Sequence, residues 1–334
     1  MKQDFGAYFE EKVIPLIARE HPDLLDEMSI HVEGSVGSGL EDELSDLDVT
    51  LLLPDKVWKE RGGQLQLTLL HKLEAFIAHP SSVGAYPASV LPRDPLVWWD
   101  LRHSEIVVHP LSLLLSGKAE PILAGESDVP WEEVAVEELL QLQVHPILRD
   151  AHGFLGRLRE LTAVDRYPEW LWTKRLICEL IDLAGELQEF DKAVRRNRPL
   201  DAQMFLAEVT RMLFRVIFLT NRQYCPWRTG FLRMFKELSF GPKELLSEFE
   251  VIGSDAAWPG KSEAVSHIVH VVTRHILESG MLTADMLRYL IRARNEKAWA
   301  NPDWLKSAED HGRQAEAAGY DPWYGWIWDR WGWQ

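Results

Sequence analysis

Along the N-terminal third of the chain the spacing of apolar residues changes period several times. Phe5, Tyr8, Phe9, Val13, Leu16 and Ile17 recur at helical intervals and predict a helix over residues 4–20. Pro15 is placed to kink it, and His21-Pro22-Asp23 to end it. Ile30 and Val32 alternate with polar neighbours, which predicts a short strand. Val49–Leu53 is a continuous apolar run, the most strand-like stretch in the sequence. A helix is predicted over Lys59–Ala78, from Leu65, Leu67, Leu69, Leu70, Leu73, Phe76 and Ile77. Two further short runs, Leu96–Trp99 and Ser104–Val108, are β-branched or aromatic and bounded by turn residues, so both predict strands.

Beyond Gly117 the pattern becomes helical. Residues 134–161, 171–190, 202–220, 231–238, 263–278 and 282–294 all carry helical spacing, and strand signals nearly vanish. Gly117, Pro121, Gly125 and Pro130 cluster at the transition. The expected fold class is therefore α/β followed by all-α. A small mixed-sheet domain occupies residues 1–122, and a helical bundle with a loop-rich tail occupies 123–334. The tail from Asn301 holds Trp304, Trp323, Trp326, Trp328, Trp331 and Trp333, too aromatic for a disordered segment.

The chemistry sits between the first two strands. Gly34-Ser35 opens a glycine-rich turn through Gly37 and Gly39, and Asp46-Leu47-Asp48 leads into Val49–Leu53. Residues i and i+2 of a strand point to one face, so Asp46 and Asp48 would present two carboxylates side by side. Two such charges repel unless a cation lies between them, and hard oxygen ligands suit Mg²⁺. The turn offers backbone N–H groups and the Ser35 hydroxyl, which is how a chain cradles phosphate. A surface turn made acidic by Glu41, Asp42 and Glu43 is the plain alternative. The order of the parts between two strands favours the functional reading: a phosphate cradle facing a magnesium pair, the apparatus of phosphoryl or nucleotidyl transfer.

A two-metal site needs a further carboxylate from a neighbouring strand, as ligand or as base. Asp100 and Glu105 both qualify, and Glu105 is preferred because its neighbours Ile106 and Val108 give it a strand setting. Cations for a triphosphate are sought beside aromatic residues. Arg222, Arg228 and Arg233 surround Tyr224 and Trp227, and Lys174-Arg175 follows Trp172. Asn221-Arg222 is the preferred pair. His267, His270 and His275 share one helix face but lack the carboxylate or cysteine pattern of a zinc site, so they are read as structural.

Composition narrows the partners. A formal charge of −16 argues against nucleic acid held by phosphate contacts. The 2 cysteines, Cys178 and Cys225, suggest neither a disulfide framework nor a thiolate metal site, as expected of a cytoplasmic protein. The first residues open no signal peptide and no apolar run reaches spanning length, so no membrane partner is expected.

Gly34-Ser35 followed by Asp46-x-Asp48 resembles the signature of polymerase-beta-type nucleotidyltransferases. Over residues 5–250 the chain resembles the domain of unknown function 4037 group of predicted nucleotidyltransferases. Phe9–Leu16, the motif itself, Tyr167-Pro168-Glu169-Trp170-Leu171-Trp172 and Leu219–Trp227 carry that resemblance. Two departures stand out: Leu47 where many members carry His, and Arg228 as the nearest cation where the group has Lys. More distantly, a Glu opening an apolar strand after Asp-x-Asp resembles the streptomycin–spectinomycin adenylyltransferases. That resemblance implies that Glu105 is base toward the acceptor hydroxyl.

Together these readings predict transfer of AMP from ATP, or of another nucleoside monophosphate, to a hydroxyl of a small-molecule acceptor bound between the domains. Asp46, Asp48 and Glu105 would serve metal and catalysis, and Gly34, Ser35, Arg222 and Arg228 would hold the nucleotide. A protein or RNA acceptor is one rival. A non-catalytic, antitoxin-like nucleotide-binding module is another.

Overall fold

A computed structural model describes residues 9–39, 48–72, 106–227 and 230–282. The chain divides into two compact units, Met1–Arg166 and Tyr167–Gln334.

The first unit is built on a four-stranded mixed sheet. Its strands are β1 (Ser29–Val32), β2 (Val49–Leu53), β3 (Ile106–Pro110) and β4 (Ile147–Asp150), in the order β3-β2-β1-β4. β1 runs antiparallel to both β2 and β4, whereas β2 and β3 are parallel. Ile30 pairs with Leu51 and Val32 with Val49, and the parallel register sets Ile106 beside Val49 and Val108 beside Leu51. These residues share one face and bury it against Phe9, Val13, Leu16 and Ile17. Full burial of side chains this size stabilises by about 1.5–3 kcal/mol each, so this face anchors the unit.

The helix predicted over 4–20 is described from Phe9. A π-helical turn, Phe9–Val13, leads into α1 (Ile14–Glu20). Pro15 lies in the first turn of α1, where its missing N–H breaks no internal bond. A single helical turn, α2 (Gly34–Gly37), follows β1. Within the helix predicted over 59–78, Trp58–Gly62 is π-helical and α3 spans Gly63–Lys72. From α3, the Gln66 amide donates to Ile106 O and accepts from Val108 N, at 3.0 and 2.6 Å, occupying polar groups on the edge of β3. The strand predicted over Leu96–Trp99 lies outside the described residues, as does the tail from Asn301.

The structure departs from the pattern reading between residues 134 and 161. The continuous helix expected there is α4 (Val136–Val144), then β4, then α5 (Phe154–Leu161). Pro146 is the reason. The residue before a proline is driven out of the helical region, and His145 is extended at φ −65°, ψ 128°. Because β4 pairs with β1, the chain beyond 122 returns to the sheet. The two units divide at Arg166–Tyr167, not at the Gly/Pro cluster near 117–130.

The second unit carries helices and no strand among its described residues. α6 (Glu169–Arg195) and α7 (Pro199–Thr220) form a helical hairpin, and α8 (Pro242–Gly253) and α9 (Trp258–Glu278) pack with each other. Phe214 of α7 stacks on Phe249 of α8 with ring centroids 4.1 Å apart. No helix among the described residues is long and apolar enough to cross a membrane.

Candidate functional site

The second face of the sheet carries Leu52 and, beside it on β1 and β2, a run of polar residues. Ser29 and His31 on β1 alternate with its apolar residues, and Glu33 continues that alternation just past the strand. His31 pairs with Thr50, and Glu33 N–H donates to Asp48 O at 2.7 Å, so Glu33 and Asp48 extend the ladder past Val32 and Val49. Antiparallel partners point to the same side, which puts His31, Glu33, Thr50 and Asp48 on one surface. All of them leave the apolar face to Ile30, Val32, Val49 and Leu51.

Gly34 turns the chain off this surface with φ +61°, a conformation that glycine adopts without strain. The absence of a side chain has a second consequence. A Cβ at Gly34 would collide with the Asp48 carboxylate, whose Oδ2 lies in the space that the Cβ would fill. The two halves of the sequence motif therefore meet here, with the half-buried Asp48 carboxylate lying against the Gly34 backbone. Gly37 has the same need. A Cβ there would strike Val32 O and come within 3.1 Å of His145 Cδ2.

Behind the turn lie two buried histidines, His31 and His145, with ring centroids 5.9 Å apart. His31 Nε2 is 3.2 Å from Glu33 Oε1, an ion-pair separation without hydrogen-bond alignment. Burial works to raise the Glu33 pKa, but His31 and the Thr50 hydroxyl more than offset it and hold the carboxylate below its usual range. Burial, reinforced by the charge of His31, pushes His145 down to about 4 against the pull of Glu33. Ser38 Oγ donates to Gly34 O at 2.9 Å and lies 3.3 Å from His145 Nε2.

Of the predicted site residues, the structure brings together Gly34, Ser35 and Asp48. Asp46, Asp100, Glu105 and Arg228 lie outside the described residues. The first described pair of the β2–β3 ladder is Val49 and Ile106, and the residues preceding them in sequence are Asp48 and Glu105. Among the described residues no group of three or more His, Cys, Asp or Glu is arranged to hold a metal ion.

Arg222 belongs to the second unit. It stands at φ +51° and its guanidinium donates to the Glu169 carboxylate. Asn221 is fully engaged: its Nδ2 donates to Ile217 O and Phe240 O, and its Oδ1 accepts from Ser239 Oγ and Phe240 N. Tyr224 is buried with Tyr167 and Trp172, at centroid distances of 5.5 and 5.7 Å. The histidines of α9 serve different neighbours. His267 bonds Glu248 at 2.7 Å, while His275 stacks on Phe240 at 3.6 Å.

The sequence reading missed His31, Glu33, Ser38 and His145. A signal for the first two existed: Ser29, His31 and Glu33 occupy the polar positions of the alternation whose apolar half is Ile30 and Val32. His145 carried no local signal beyond the proline that follows it.

The structure defines the class as a mixed-sheet α/β unit followed by a helical unit. The family model described as Domain of unknown function (DUF4037) matches residues 131–229. That span includes Tyr167–Trp172 and Leu219–Trp227 but not the Gly34–Asp48 motif. The likeness to that family is thus coarse, and nothing found bears on the adenylyltransferase resemblance. No curated protein matches the chain. Among solved structures, the chain is similar to a nucleotidyltransferase-like protein from Exiguobacterium sibiricum 255-15. The two are 12% identical, the alignment covers 86% of this chain and 81% of that one, and the TM-score is 0.39.

Proposed function

We propose that this chain is a Mg²⁺-dependent nucleotidyltransferase that moves AMP from ATP, or another nucleoside monophosphate from its triphosphate, to a hydroxyl of a small-molecule acceptor. One observation carries the reading. The Asp48 carboxylate occupies the space left by the missing Gly34 side chain, so an acidic ligand and a bare backbone turn share one edge of the sheet. Bare backbone accommodates phosphate oxygens, and a carboxylate beside it accommodates the cation that neutralises them.

In this scheme Gly34 and Ser35 hold the β- and γ-phosphates. Asp46 and Asp48 hold Mg²⁺, which when bound supplies charge neutralisation on the phosphates. Glu105 accepts the proton of the acceptor hydroxyl or completes the ligand set. The hydroxyl oxygen bonds to the α-phosphorus, the bond from that phosphorus to the bridging oxygen breaks, and pyrophosphate leaves.

The test is incubation with α-labelled ATP, Mg²⁺ and a panel of hydroxyl-bearing acceptors, reading AMP adducts by mass spectrometry. Asp46→Ala and Asp48→Ala should each abolish Mg²⁺-dependent transfer. Each removes one of two like charges, so apo stability should hold or rise. Wild-type turnover in either variant would show that the site is misassigned.

A further inference from the structure

The turn that carries the motif is held from outside the motif. The junction of α4 and β4 reaches both of its ends. Before the turn, Pro146 O accepts from Val32 N–H at 3.0 Å. After it, the His145 ring meets Ser38. The junction is itself fixed by Arg159 of α5, whose Nε donates to Leu142 O at 2.7 Å and whose Nη2 donates to His145 O at 2.6 Å. His145 N–H also donates to Gln141 O at 2.9 Å.

The direction of the Ser38 contacts follows from counting hydrogens. A serine hydroxyl has one proton, and Ser38 gives it to Gly34 O. Toward His145 it can only accept, so Nε2 carries the imidazole proton. Nδ1 is then a bare acceptor, buried and without a hydrogen-bond partner among the described residues. With its pKa near 4, the ring stays neutral at physiological pH and keeps this single donor.

Resting on the nucleotidyl-transfer reading, we propose that His145 is a positioning residue for the nucleotide-binding turn. Through Ser38 it fixes the Gly34 carbonyl, and through Gly34 the backbone face against which the Asp48 carboxylate lies. Gly37 makes the arrangement possible, because a Cβ there would strike the Val32 carbonyl and crowd the His145 ring at 3.1 Å.

The test separates the donor from the ring. His145→Phe keeps a flat buried ring and removes the donor. His145→Gln keeps a donor close to the position of Nε2. Ser38→Ala removes the relay. Two readouts are taken on each full-length protein: deuterium exchange of the segment 33–39 and the dissociation constant for MgATP. His145→Phe and Ser38→Ala should each raise exchange in 33–39 and weaken MgATP binding about tenfold, the scale of one lost hydrogen bond. Their double variant should be no worse than either alone. His145→Gln should return both readouts to within a few-fold of wild type. Unchanged exchange in His145→Phe overturns the proposal whatever the nucleotide does. Raised exchange with unchanged MgATP affinity also overturns it, as does failure of His145→Gln to rescue. A wild-type protein that binds no MgATP sinks the nucleotidyl-transfer reading separately, and the exchange arm alone then decides whether His145 holds the turn.

Discussion

The Gly34–Ser38 turn with Asp48 beside it and the Asn221–Trp227 segment share a mixture of polar, charged and glycine or aromatic residues, yet they are built on opposite terms. In the second unit the polar groups satisfy one another. The Asn221 side chain makes four hydrogen bonds, Arg222 takes Glu169, and Tyr224 sits among aromatic rings. In the first unit the Asp48 carboxylate lies against bare backbone at Gly34, and His145 meets Ser38 of the same turn while its Nδ1 has no partner among the described residues. A polar cluster that consumes its own capacity fixes a fold. One that sets a carboxylate directly against bare backbone puts an acceptor and N–H donors within reach of one ligand.

The comparison breaks most readily at Glu105, where the largest effect is expected. If Glu105 serves the turn as base, Glu105→Gln should lower turnover about 10²–10⁴-fold and leave ATP affinity intact. A parallel fall in ATP affinity would make it a metal ligand instead. Loss in Asp100→Asn alone would move the role to the other candidate strand. Turnover and ATP dissociation constant measured on the same protein decide among these.

Next in size is Tyr224, at the centre of the opposite case. Tyr224→Ala should cost the second unit about 3–5 kcal/mol, the range for deleting a buried aromatic ring. Denaturant unfolding followed by tryptophan fluorescence reads it, since Trp172 lies 5.7 Å from the Tyr224 ring. A loss of nucleotide affinity without loss of stability would mean that the aromatic cluster belongs to a binding surface after all.

Acid sharpens the contrast on the other side. An unfolded histidine titrates near 6.5, whereas native His145 titrates near 4. Between these values the unfolded chain binds a proton that the native protein refuses. Stability should therefore fall as pH drops from about 6.5 to about 4, by a contribution on the order of 3 kcal/mol, and this contribution levels off below. His145→Gln should remove that segment of the stability profile. An unchanged profile would place the His145 ring in a more solvated setting than the one described.

The apolar half of the first unit was legible because its period is strict. Ile30, Val32 and Val49–Leu53 alternate or run as strands must, and the burial of one face follows. The approach of Asp48 to Gly34 was foreshadowed by the order of Gly-Ser and Asp-x-Asp along the chain. β4 was not legible: Ile147–Asp150 is four residues long, lies between two helices, and all four residues are only partly buried, so no clean alternation marks it. Its edge place beside β1 is a tertiary fact. The same holds for His145, whose meaning comes from a contact 107 residues away in sequence. The division between the units was misplaced for a related reason. A Gly/Pro cluster marks a loop, but only strand pairing tells whether the chain has left the sheet.

The smallest effect is expected at Arg222, and it tests the comparison where sequence and geometry pull apart. Sequence logic offered Arg222 as a phosphate clamp. In the structure its guanidinium is already held by Glu169, and both side chains are substantially exposed, at 41% and 70%. Exposed pairs of this kind contribute about 0–1 kcal/mol, because water screens the attraction and two long side chains lose freedom. Arg222→Ala should therefore shift stability by less than about 1 kcal/mol. It should leave MgATP affinity where it was, since the pair would have to open before phosphate could enter. Glu169→Ala is the sharper variant. It frees the arginine without removing it, so if Arg222 were a clamp held in reserve, Glu169→Ala would tighten MgATP binding and Arg222→Ala would weaken it. Equal affinities across wild type and both variants would confirm that this pair does no more than tie the start of α6 to the end of α7.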